Sequence, residues 1–130
     1  MKVRSFRDLI VWQRSRELAR SVYELTRDFP REELYGMTSQ LRRAAVSVMS
    51  NIAEGHGRGS RLQLMHFLSI ARGSVFEVES QLILAADLGL GTADKITVCE
   101  QCCSEINRML FATLNTLKAR GTTSPSSVSE

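Results

Sequence analysis

The chain has 130 residues, 43% of them hydrophobic and 6% aromatic, with eight glycines and two prolines; this single-domain length buries a core without staples and favours helices over a many-turned β-fold. The formal charge of +3 is unevenly spread, since residues 1–75 carry 13 Lys/Arg against 7 Asp/Glu while residues 76–130 carry 4 against 7. No run of about 18 apolar residues is present to span a membrane, and MKVRSFRDLIVWQRSRELAR lacks the apolar stretch of a secretory signal, so a soluble, cytoplasmic protein is expected.

The first helix is predicted over about 8–28. Val11, Ser15, Leu18, Val22, Leu25 and Phe29 recur at spacings of 4 and 3, and Trp12 and Ala19 widen that stripe to bundle width. Ser5 and Asp8 resemble a capping box, and Arg16, Arg20, Glu24 and Arg27 read as a solvated face of mixed charge. Phe29-Pro30 ends the segment, because proline disfavours the α conformation in the residue before it. Residues 31–36 form a connection, and Thr38 or Ser39 caps a second helix over 38–55.

In that second helix Leu41, Ala45, Val48 and Ile52 share one face, with Arg43, Ser47, Ser50 and Glu54 opposite. Gly55-His56-Gly57-Arg58-Gly59 reads as the closing turn. Ser60 and Gln63 make a capping box for a third helix, 61–88, whose seam is Leu64, Leu68, Ala71, Val75, Val78, Leu82 and Ala85. Gly89 and Gly91 interrupt the chain, and Thr92 or Asp94 opens a fourth helix, 93–119, striped by Ile96, Cys99, Cys103, Ile106, Leu110, Leu114 and Leu117. Short connections between four such segments predict an all-α, antiparallel up-down-up-down four-helix bundle over 1–120, with a disordered tail, 121–130.

The third helix has more apolar surface than one bundle uses. Phe76 and Ile83 lie beside its seam, while Ile70 and Leu84 lie on the far side with Gly73, Glu77 and Ser80. A helix apolar around most of its circumference must be covered on more than one side. Ile70, Gly73, Phe76, Ser80 and Leu84 are therefore the candidate contacts of a homo-oligomer.

Three stretches, FRDLIVWQRSRELARSVYELTRDFP, LYGMTSQLRRAAVSVMSNIAEGHGRGS and FLSIARGSVFEVESQL, resemble the 23S rRNA intervening-sequence protein family in order and spacing. The resemblance implies an antiparallel four-helix bundle assembled as a ring-like homopentamer. Some members of that family are encoded within insertions in bacterial 23S rRNA genes. A related accessory protein of diversity-generating retroelements uses a basic surface on a similar pentamer to bind nucleic acid and its reverse transcriptase. The family itself brings no established activity and no agreed binding residues.

The residues offer few alternatives to a binding role. Arginine outnumbers lysine 14 to 3, which suits bidentate phosphate contacts, and is equally what a GC-rich genome produces. Arg42, Arg43, Arg58 and Arg61 are the candidate RNA- or DNA-binding residues. Arg42 and Arg43 serve equally as ion-pair partners for Glu77 or Glu79, within the protomer or between subunits. The glycine-rich run before Ser60 can cradle a phosphate at a helix start, or simply turn the chain; it has neither the Walker spacing nor a preceding strand. Cys99, Cys102 and Cys103 fall inside a helix, where buried thiols are expected and neither a redox pair nor a four-ligand zinc site is. His56 and His66 do not join a triad or a Glu-x-x-His metal motif, so no enzyme activity, cofactor or metal is expected. The rival to a nucleic-acid ligand is a protein-binding scaffold whose partner is another protein.

Overall fold

A computed structural model describes residues 4–121 of the protein. It is all-α, with four long helices and no strand among the described residues: α1 (Ile10–Arg27), α2 (Ser39–Gly57), α3 (Arg61–Asp87) and α4 (Ala93–Gly121). The expected tail lies, beyond Gly121, outside the described residues. No helix is long and apolar enough to cross a membrane.

The apolar stripes meet in one core. Leu18, Val22, Leu25, Leu41, Val48, Ile52, Val75, Val78, Leu82, Ile106 and Leu110 are wholly buried. Each contributes on the order of 1.5–3 kcal/mol of transfer free energy. Helix α1 packs on α2 and α4, and α3 packs on the same two. Two cross-links tie α1 to α4: Asp28 Oδ2 accepts from Lys95 Nζ at 2.7 Å, and Arg14 grips Glu105 with two prongs, the Nη2–Oε2 arm at 2.8 Å. Between α2 and α3 the Ser47 and Ser74 hydroxyls meet at 2.9 Å. Ser47 therefore faces a neighbouring helix, not the outer surface with Arg43 and Glu54.

Several helix ends differ from the sequence expectation. Ser5 and Asp8 do pair with nearby backbone, on Arg7 N and Arg4 N, but they brace a single 3-10 turn (Phe6–Asp8); α1 begins after it at Ile10, without a side-chain cap. Neither Thr38 nor Ser39 caps α2. The chain reaches it through a 3-10 turn (Arg31–Glu33) and a wide turn (Leu34–Thr38), held by Glu33 Oε1 accepting from Met37 N at 3.2 Å. The glycine run does not close α2 at Gly55. The helix continues to Gly57, and only Gly59 of that run has positive φ, +79°. Ser60 caps α3 as expected, its Oγ accepting from Gln63 N at 3.1 Å.

Helix α3 keeps its surplus apolar surface uncovered. Ile70, Phe76, Ile83 and Leu84 are all at least 40% exposed, beside exposed Gly73 and Ser80.

Candidate nucleic-acid interface

The four candidate arginines fall at the two ends of α2, Arg42 and Arg43 in its first turns, Arg58 just past its last residue and Arg61 at the start of α3. Arg42 and Arg58 are 16 residues apart, about 24 Å along a helix at 1.5 Å per residue. They form two clusters, not one patch.

At the far end, Arg58 is tied locally. Its Nε and Nη2 both reach Glu54 Oε2 at 2.8 Å, and its guanidinium lies 5.0 Å from the Phe67 ring centroid. Arg61 donates from Nη1 to the Leu117 carbonyl at 3.3 Å and lies against the Met65 sulfur. It thus ties the first turn of α3 to α4. A cleft of about 380 Å³ lies here, lined by Gly55, His56, Gly59, Ser60, Arg61, Leu64, Leu117 and Arg120.

The near end is built differently. Arg42 stacks its guanidinium 4.4 Å from the Tyr23 ring centroid and donates from Nε to Thr26 Oγ1 at 2.8 Å, so α1 fixes its direction. Thr26 in turn donates to the Val22 carbonyl. Arg43, one residue on, is exposed and has no hydrogen bond or ion pair among the described residues. Neither arginine pairs with Glu77 or Glu79 within the protomer: Glu79 accepts from Asn107 Nδ2 at 2.8 Å, and Glu77 is exposed. Tyr23, Leu34, Tyr35, Thr38, Ser39, Arg42, Arg43 and Val46 surround a cleft of about 530 Å³. Tyr23 also lines a broad depression of about 760 Å³ with Arg16, Glu17, Arg20, Glu24, Arg27, Met49 and Lys95, four cations against two carboxylates. A basic surface therefore runs from α1 past Tyr23 to the start of α2. Along it Arg27 is paired with Glu24 at 2.9 Å and Lys95 with Asp28, whereas Arg16 and Arg20 have no ion pair among the described residues.

Sequence reasoning overlooked Tyr23, Tyr35 and Leu34. The available signal was position: Tyr23 falls between the stripe residues Val22 and Leu25, and an aromatic and a leucine stand in a polar connection without apolar periodicity.

The cysteines lie elsewhere. Cys99 and Cys103 are buried in the core, and desolvation pushes the Cys99 thiol up to about 12 and the Cys103 thiol upward as well. Half-buried Cys102 is raised by the same cause, against the opposing charge of Arg14. These thiols are held protonated, the reverse of what a nucleophile or thiolate ligand requires. Among the described residues no three His, Cys, Asp or Glu side chains group to hold a metal ion.

The sequence model of the 23S rRNA-intervening sequence protein family matches residues 7–112, which takes in α1 to α3 and most of α4. The chain belongs to this family. A solved structure from the S23 ribosomal protein family of Bacteroides thetaiotaomicron VPI-5482, described as a protein with unknown function, shares the fold with a TM-score of 0.72. The two are 24% identical over 81% of this chain and 98% of that one. No curated protein matches the chain. The family thus accounts for the fold and leaves the ligand to be argued from this chain's own surface.

Proposed function

We propose that this family member is a non-catalytic, antiparallel, homo-oligomeric four-helix bundle that binds RNA or DNA through the basic surface of α1 and the start of α2. The observation that carries the reading is Arg43: an exposed guanidinium without a carboxylate, beside Arg42 in a cleft that shares Tyr23 with the depression lined by Arg16 and Arg20. Phosphate contacts of this kind position a nucleic acid without reading its sequence. Arg58, spent on Glu54, has a smaller part in this surface than its place in the sequence suggests.

The outer face of α3 supports self-association, with a ring of five implied by family resemblance. Ile70, Phe76 and Leu84 are exposed there, and a side chain at Gly73 would meet nothing within 4 Å. Beside Phe76, Arg72 lies 5.4 Å and 5.2 Å from the Phe76 and Phe111 ring centroids, with its Nε buried and unbonded among the described residues. A second copy packed on this face removes apolar area from water. The same exposed face favours the second reading, a scaffold whose ligand is another protein.

Filter binding to structured RNA at low and moderate salt separates the two. A nucleic-acid binder shows a steep salt slope that flattens in an Arg20→Ala, Arg43→Ala double variant. An intact oligomer without RNA affinity at low salt leaves the scaffold reading.

A further inference from the structure

The cleft between the wide Leu34–Thr38 turn and the start of α2 has features that phosphate binding alone does not use. Its apolar lining is large and open: Tyr23, Leu34 and Val46 are 38–47% exposed, and Tyr35 is 92% exposed. Tyr35 has no hydrogen bond and no ring contact among the described residues, so both faces of its ring are open. Its backbone is nevertheless held, because Glu33 caps the turn on Met37 N and Thr38 is buried. A flat π-surface is therefore presented on an anchored segment, beside Arg42 and Arg43. Arg42 already lies on the Tyr23 ring, leaving its guanidinium plane as part of the cleft wall.

We infer that this cleft receives an unpaired nucleobase against Tyr35, with the adjoining phosphate on Arg43, so that the protein binds single-stranded or looped nucleic acid in preference to duplex. The inference rests on the nucleic-acid reading above and narrows its ligand. Base–aromatic stacking is tolerant of sequence because every base has a π-face, and it needs that face exposed. A duplex hides its base faces within the stack and offers this surface its phosphates and groove edges, not a ring to stack on. The cleft, about 530 Å³, is open to solvent and wide enough to take a base laid against the tyrosine. The arginines supply the charge, and the tyrosine supplies the discrimination between strand types.

Fluorescence anisotropy of the full chain tests it, with an unstructured RNA of about 16 nucleotides and the same strand annealed to its complement, at one low salt concentration. The native protein binds the single strand more tightly. Tyr35→Ala weakens single-strand binding about tenfold, the order of one base–aromatic stack, and leaves duplex affinity unchanged. Tyr35→Phe keeps the native preference. The residue is almost fully exposed, so neither substitution disturbs the core. Equal affinity for both forms, or a Tyr35→Ala effect that is absent or identical on both, overturns the inference while the nucleic-acid reading stands. Binding to neither form by a particle of native mass and helicity overturns both.

Discussion

Gly55 of α2 and Phe67 of α3 stand so close that a Cβ on the glycine would lie 2.9 Å from the Phe67 Cβ. Gly55 is buried within a helix that continues past it, so this glycine permits close packing and does not turn the chain. Gly55→Ala is expected to cost about 1–3 kcal/mol by overpacking. Gly57→Ala, at a helical position with nothing within 4 Å, is expected to gain up to about 1 kcal/mol of helix propensity. Urea unfolding should move the two midpoints in opposite directions.

The charged straps between α1 and α4 give stability an acid limb. Lys95 holds the Asp28 carboxyl below its ordinary range, and Arg14 does the same to Glu105, each mainly through its hydrogen bond. A depressed carboxylate stabilises the fold above the ordinary carboxylate range, and that contribution is lost as pH falls through the depressed value. The Asp28→Asn, Glu105→Gln double variant should therefore show a shallower loss of thermal midpoint on acidification, while being less stable at neutral pH.

Thiol chemistry follows the opposite sign. Burial raises the Cys99 thiol to about 12, so its contribution is complete below the ordinary thiol range and lost as pH rises from there. Native protein should react with a disulfide reagent at Cys99 and Cys103 only on unfolding, with half-buried Cys102 first to react. Rapid labelling of all three thiols without denaturant would contradict this core placement.

Two arginines of equal formal charge should behave unequally toward RNA. Arg43→Ala is expected to lower the salt slope of binding by about 1, because its guanidinium is uncommitted. Arg58→Ala should lower it less, since Glu54 already balances that charge. Salt titrations of the two variants side by side make the comparison.

Charge placed on the outer face of α3 should separate the subunits. Ile70→Glu with Leu84→Glu is expected to bring the particle toward the 14.6 kDa protomer by light scattering, with helicity retained because both positions are exposed in the protomer. A monomeric native protein at micromolar concentration would remove the basis for assembly.

Much of this architecture is legible in the spacing of apolar residues. Of the expected α3 seam, Leu68, Ala71, Val75, Val78, Leu82 and Ala85 are buried, as heptad periodicity requires, and Leu64 is half-buried. Helix ends are less legible, because Gly55 and Thr38 carry the residue types of turns and caps while tertiary packing continues the helix through one and a wide turn feeds the other. Ser47 has the wheel position of an outer residue, and its bond to Ser74 shows how a third packing direction escapes a two-sided wheel. The basic surface is legible only as composition. Helix length separates Arg42 and Arg43 from Arg58 and Arg61, and folding alone brings Tyr23 and Tyr35 to the first pair.

The joining of Arg14 to Glu105 spans 91 positions of sequence. On a translating ribosome, at about 5–20 residues per second, the first helix therefore waits on the order of ten seconds for its last neighbour. During that interval Leu18 and Leu25 sit on a nascent chain whose bundle is one wall short, which is the kind of surface that holding chaperones grasp. The apolar face of α1 is thus fully covered only once α4 has been made.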